Sequence, residues 1–216
     1  MARLWCSGFE LNSITSGVEW TSASAGFEIV TSIVKSGSYA GRANADNETI
    51  RKQLYNSAQL NQQYFKCYVY FAALPSSGNV RFMSLASSGG TEAVGIGIKS
   101  TGKMGIFSAG TQQGSDSTTT FTTGVWYLVE ANIGYGISAT RTLKVSGVTE
   151  VTSSFTNTTS WDRVYLGILG TANSADIYFD DFVADSSEYP GDGRLYCLRP
   201  KSGGDSNQFE KSDGST

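Results

Sequence analysis

The chain has 216 residues, a net charge of −3 and no histidine, and its 16 lysines and arginines are gathered into no run. That balance argues against a partner held through phosphates, so no nucleic acid is expected, and it removes imidazole bases, histidine triads and histidine-ligated zinc. With 25 glycines, 3 prolines and a 12% aromatic share, the chain reads as turn-rich and globular, with enough large apolar surface for one substantial core.

A first strand is expected around Leu4-Trp5-Cys6 and Gly8-Phe9-Glu10. Residues 12–25 are rich in Ser, Thr and Gly and read as loop, with Val18-Glu19-Trp20 as a short strand. Residues 27–34 and 39–43 read as strands separated by the turn Ser36-Gly37-Ser38. Residues 44–61 are polar and fit either a strand over 50–54 or a short helix. Residues 64–71 alternate most clearly. Phe65, Cys67, Val69 and Phe71 form a core face, while Tyr64, Lys66, Tyr68 and Tyr70 form an amphipathic face expected to meet solvent. Further strands are predicted at 80–85, 92–99, 103–108, 124–133, 140–146, 163–169 and 175–184, divided by Gly- and Ser-rich turns that include residues 110–114 and 134–136. No segment sustains a helical apolar period. The result is an all-β, two-sheet sandwich.

After Asp185 the character changes. Residues 186–193 form a polar linker, Arg194-Leu195-Tyr196-Cys197-Leu198-Arg199 is one more strand-like run, and 200–216 is a polar tail whose single aromatic is Phe209. The expected organisation is therefore a sandwich over 1–185 and an extension over 186–216. The tail cannot bury enough apolar surface to order itself, which suits docking on a partner subunit. Cys6, Cys67 and Cys197 lie apart in apolar runs and read as buried free thiols. No apolar run approaches the roughly 20 residues that cross a bilayer, so membrane insertion is not expected. The first residues are too short for a signal-peptide hydrophobic region, and synthesis without a classical secretion signal is the expectation.

Three groups of residues carry chemistry. The strand Ile177-Tyr178-Phe179-Asp180-Asp181-Phe182-Val183 places two adjacent carboxylates in an apolar run, which is costly unless they are hydrogen-bonded, paired or metal-bound. Regular alternation would put Asp180 and Asp181 on opposite faces, so a bulge at the pair is expected. Glu10 is their candidate partner. Either the three carboxylates share a structural calcium ion, or the two aspartates accept backbone amides. The second group is Tyr64, Lys66, Tyr68 and Tyr70, where flat apolar rings beside polar groups suit a pyranose ring and its hydroxyls, or equally cross-strand pairing or a subunit interface. The third is Glu92, Glu130 and Glu150, which form no cluster on one strand face, and a catalytic carboxylate pair is not expected.

Gly8-Phe9-Glu10, Trp20, Ser36-Gly37-Ser38-Tyr39-Ala40, Trp126-Tyr127 and the Asp180-Asp181 strand together resemble the concanavalin A-like jelly-roll superfamily, which includes laminin-G-like and carbohydrate-binding modules. The resemblance covers about residues 1–185 and implies an antiparallel jelly roll, with Glu10, Asp181 and Asp180 as the set for structural calcium. Met1-Ala2-Arg3-Leu4 with Gly8-Phe9-Glu10-Leu11-Asn12, and Pro190-Gly191-Asp192-Gly193-Arg194, Leu198-Arg199-Pro200 and Gly204-Asp205-Ser206-Asn207-Gln208-Phe209, are similar to structural proteins of tailed bacteriophages, with Phe209 where those carry Trp. This implies a non-enzymatic virion protein, assembled in the host cytoplasm as a homo-oligomer or docked on capsid or tail beside other virion proteins, with cell-surface glycan as a partner. The competing expectations are a free carbohydrate-binding module and a polysaccharide depolymerase.

Overall fold

The computed structural model describes residues 3–14, 19–56, 62–170 and 174–193. Within them the chain forms β1 (Arg3–Ser7), β2 (Ser22–Ala23), β3 (Glu28–Val30), β4 (Ala40–Ala43), β5 (Thr49–Gln53), β6 (Gln63–Ala73), β7 (Asn79–Ala86), β8 (Glu92–Lys99), β9 (Met104–Ser108), β10 (Thr111–Gln113), β11 (Trp126–Ile133), β12 (Gly136–Val145), β13 (Val148–Asn157), β14 (Arg163–Leu169) and β15 (Asp176–Asp185). One sheet runs β13-β12-β11-β6-β15-β4-β3, with β1 also paired to β15. The other runs β10-β9-β8-β7-β14-β5-β2. All pairings are antiparallel, and the two sheets form the expected jelly-roll sandwich.

The alternation of β6 explains how the sheets face each other. Phe65, Cys67, Val69 and Phe71 are all at most 1% exposed and join the core. They meet Phe82 of the second sheet, with the Phe71 and Phe82 rings 5.7 Å apart and edge-on. A further aromatic cluster closes the end of the sandwich near β1. Trp5 packs edge-on to Trp20 at 4.4 Å, Trp20 stacks on Phe9 at 5.4 Å, and Phe27 stacks on Phe179 at 6.3 Å. Such pairs contribute about 0.5–1.5 kcal/mol each beyond the area they bury. Gly41 of β4 lies against these rings, and a Cβ there would stand 2.8 Å from both Phe9 and Phe27.

Several local expectations change. Residues 49–53 form a strand, because Ile50 has to reach the core between Thr49 and Arg51, which stay half-buried. The short strand lies at Ser22–Ala23; Val18 is outside the described residues, and Trp20 sits in a bend, fully buried. The turn region 110–114 contains β10, and residues 148–157 form the edge strand β13. Cys67 is buried as expected, whereas Cys6 is exposed; both thiols are free. The expected run 194–199, Cys197 and the tail 200–216 lie outside the described residues.

The pairing of β15 positions everything that follows. On one side it runs along β6. On the other it pairs first with β4, through Ile177, Tyr178 and Phe179, and then with β1, through Phe182, Val183, Ala184 and Asp185. The change of neighbour falls at Asp180-Asp181. Along β6, Asp180 faces Tyr68 and Val183 faces Lys66, so two residues oppose one, which is a β-bulge. Asp181 takes a φ of 48°. The extra residue returns Phe182 to the core beside Phe65, where unbroken alternation would turn it outward.

Candidate functional site

The bulge makes a gap at the edge of β15 where β4 has ended and β1 has not begun, and residues 35–39 fill it. One oxygen of Asp180 accepts the backbone N–H groups of Lys35 and Ser36, each at 3.0 Å, and the other accepts the N–H of Asp181 at 2.7 Å. The Ser36 hydroxyl donates to Asp181 at 3.0 Å. Glu10, just beyond β1, accepts the N–H groups of Ser38 at 2.9 Å and Tyr39 at 3.1 Å. Burial, with the Asp181 charge adding to it, pushes Asp180 up to about 7 against the pull of those amides. Burial also raises the Cys67 thiol beneath it. The three acids singled out in the sequence thus converge on one five-residue loop. Among the described residues no three acidic or thiol side chains form a metal-binding group.

The outer face of the same sheet is a grid fixed by register. Arg42, Tyr178, Tyr70 and Trp126 lie side by side across β4, β15, β6 and β11. The Tyr70 ring stands 5.5 Å from Trp126 and 5.8 Å from Tyr178, and the Arg42 guanidinium lies 5.3 Å from the Tyr178 ring. Asp176 holds Arg42 through two bonds of 3.0 Å. The next rows are Asp180, Tyr68 and Leu128; then Val183, Lys66, Glu130 and Lys144; then Asp185, Tyr64, Asn132 and Thr142.

Residues 186–193 cross the lower rows. Asp185 accepts the Ser187 N–H at 2.9 Å, the Ser187 hydroxyl at 2.8 Å and the Glu188 N–H at 3.4 Å, which turns the chain back over the sheet. Tyr189 then packs edge-on to Tyr64 at 5.1 Å, with the Lys144 ammonium 4.0 Å from its ring. Gly191 donates its N–H to Glu130 at 3.0 Å, Tyr68 donates to Asp192, and Lys66 donates to the carbonyl of Gly193. Burial lowers the Lys66 pKa, opposed by the charges of Asp181 and Asp192.

Beside this crossing lies a cavity of about 430 Å³. Lys35, Tyr68, Trp126, Leu128 and Glu130 line it, with Ser146 and Gly147 from the β12–β13 turn and Gly191 and Asp192 from the crossing segment. It combines an aromatic face with an ammonium, two carboxylates and a phenol, a set able to hold a small polar molecule in several directions at once.

The expected ligand face is therefore brought together but not left open. Lys66 is 2% and Tyr68 6% exposed, a correction to the expectation that Tyr64, Lys66, Tyr68 and Tyr70 all meet solvent. Only Tyr68 of the four lines the cavity. Tyr70 is half-buried in the aromatic row between half-buried Trp126 and buried Tyr178, and Tyr64 and Lys66 lie beneath residues 186–193. Trp126, Lys35 and Asp192 were not singled out as ligand residues; the alternation of Trp126, Leu128, Glu130 and Asn132 along β11 was the available signal. The three glutamates do not assemble. Glu92 pairs with Arg81 at 2.7 Å, and Glu150 accepts from Thr118 and Thr119.

No family model matches the chain, and no curated protein matches it. Solved structures do. The cellulose induced protein Cip1 superposes with a TM-score of 0.68 at 16% identity, over 87% of this chain and 99% of that one. The endo-beta-1,4-glucuronan lyase from the fungus Trichoderma reesei gives 0.63 at 10% identity, over 86% and 96%. The ligand binding domain of botulinum neurotoxin serotype D, in complex with N-acetylneuraminic acid, gives 0.62 at 13% identity, over 87% of this chain and 48% of that one. At these identities the likeness establishes the fold alone, a two-sheet antiparallel jelly roll.

Replacing Asp180 by Ala strands the amides of Lys35 and Ser36 beside a buried cavity. Urea unfolding of Asp180→Ala is expected to show a loss of about 1–3 kcal/mol or more. Asp180→Asn keeps an acceptor and is expected to lose less; equal losses would mean that the amide bonds do not hold the loop.

Proposed function

We propose that the chain is a non-catalytic glycan-binding module whose ligand lies on the outer face of the large sheet, against Trp126 and Tyr70 and into the adjoining cavity. The observation that carries this reading is the row Arg42, Tyr178, Tyr70 and Trp126 running into a cavity that holds Lys35 and Glu130. Sugars present flat C–H faces to aromatic rings and hydroxyls to charged groups, and both are offered within one site. The superposed Cip1 and neurotoxin domains support the reading at the level of fold. On a glycan array, selective binding by the wild-type chain is expected. Trp126→Ala is expected to weaken it by tenfold or more, which corresponds to about 1.4 kcal/mol, with the melting temperature little changed. A blank array for the wild type would overturn the reading.

The terminal motifs similar to those of tailed-phage structural proteins support a second statement, about place. The module would be carried on the capsid or tail as a decoration or adhesion protein, in several copies and next to other virion proteins. Mass spectrometry of purified particles is expected to find the chain; its absence from them would remove the virion role and leave a free carbohydrate-binding module.

Structural calcium is the third proposal. Glu10, Asp180 and Asp181 reach residues 35–39 with carboxylate oxygens, the chemistry a hard cation takes, and amides and the Ser36 hydroxyl occupy those oxygens here. Glu10, Asp180 and Asp181 would hold the ion, which would displace those donors. At about a hundredfold excess of calcium over its Kd, the melting midpoint is expected to rise by roughly 5–10 °C relative to chelator. An unchanged midpoint would leave a clasp made of hydrogen bonds alone.

A further inference from the structure

We propose that residues 186–193 are a displaceable cover, a segment of the chain that occupies its own binding face and competes with the ligand. The inference rests on the glycan-binding reading and extends it to regulation.

Three buried polar groups along the covered rows receive from the segment what a ligand would supply. Glu130 receives a donor from the Gly191 N–H, Lys66 an acceptor from the Gly193 carbonyl, and Tyr68 an acceptor from Asp192. Tyr189 supplies the ring, edge-on to Tyr64 and beside the Lys144 ammonium. An ammonium, a carboxylate and a phenol on one sheet face, all less than about a tenth exposed, are not needed to seal a sandwich whose core lies on the other side. An apolar face would do that at lower desolvation cost. Occupied by backbone groups, they are satisfied without being used up.

The attachment is built to release. The turn is fixed at its root, where Asp185 caps Ser187 and Glu188. Beyond the root, Tyr189 is the one large ring, and the remaining hold is a set of single polar bonds. Each exchanges for water on opening and so contributes far less net free energy than its gross strength. Gly191, at a φ of 71° with open space around its Cβ position, sets the path of the segment without being wedged. Lifting residues 189–193 would join the cavity to Lys66 and Tyr64 in one continuous groove. While the cover is down, apparent affinity is reduced by the fraction of molecules that are closed.

Lys66 is the reporter. Full-length protein is treated with an amine acetylating reagent, and acetylation of Lys66 is timed by peptide mass spectrometry, with the half-buried Lys103 as the internal standard. Slow labelling is expected in the wild type. In Tyr189→Ala, and separately in Gly191→Pro, Lys66 is expected to label at least about tenfold faster with the sandwich intact, because opening limits access. Calorimetric titration with cellohexaose and with hexagalacturonate then reads the competition, and affinity for whichever binds is expected to rise about tenfold in the opened variants. Unchanged Lys66 labelling would overturn the cover. Faster labelling with equal or weaker binding would also overturn it, since the segment would then be part of the binding site. Faster labelling with no glycan bound by any form would support a displaceable cover and overturn the glycan reading instead.

Discussion

The structure depends on how one strand handles a change of neighbour. β15 lies beside β6 along its whole length, but its other side is shared between two short strands from different parts of the chain. Where β4 stops and β1 has yet to start, the backbone has no strand to pair with. Asp180 and Asp181 sit at that point. A carboxylate can accept several N–H groups at once, so Asp180 takes the amides of a crossing loop in place of a strand edge, and Ser36 and Glu10 complete the join. Two acids that would be a liability in a continuous strand are what allow β1 and β4 to share one edge.

The bulge that accompanies this join also decides what the outer face presents. Before it, Tyr178 and Asp180 point outward. After it, Val183 and Asp185 do, while Phe182 turns inward. Asp185 is thereby placed to cap the turn that sends the chain back across Tyr64, Lys66 and Tyr68. The aromatic row above the bulge stays partly open, and the charged rows below it are covered. The joining of β1 to β15, the cavity and the covering segment all follow from the bulge.

Much of this was legible in the sequence. The alternation from Tyr64 to Phe71 gave the correct inward face, since Phe65, Cys67, Val69 and Phe71 have no other place to go. The adjacent aspartates pointed to a bulge and to Glu10, because burying two carboxylates requires donors and few segments can bring them. The state of the outward face was not legible. Lys66 and Tyr68 look like solvent-facing residues because their cover comes from residues more than 120 positions away, in a polar stretch that reads as a linker. β13 was missed for a related reason: beyond Val148 its exposed positions are Thr and Ser, as suits an edge strand, and its sparse apolar residues do not alternate over enough length to register. Trp126 was visible as a residue of the jelly-roll pattern, but its place beside Tyr70 follows from register, which a single strand does not reveal.

The pairing of Arg3 with Asp185 has a mechanical consequence. Because β1 and β15 are antiparallel neighbours, the described chain enters and leaves the sandwich at the same end. A pull between those two points would open the β1–β15 ladder one rung at a time, from Arg3 towards Ser7, instead of shearing all its bonds together. The first resistance would come from the Arg3–Asp185 ion pair, and the next from the carboxylate join at the bulge. A tether at one end alone would leave that zipper unloaded. Anchored through a single end, the domain would carry load through its linker; anchored through both, it would yield first at the strand that closes its core.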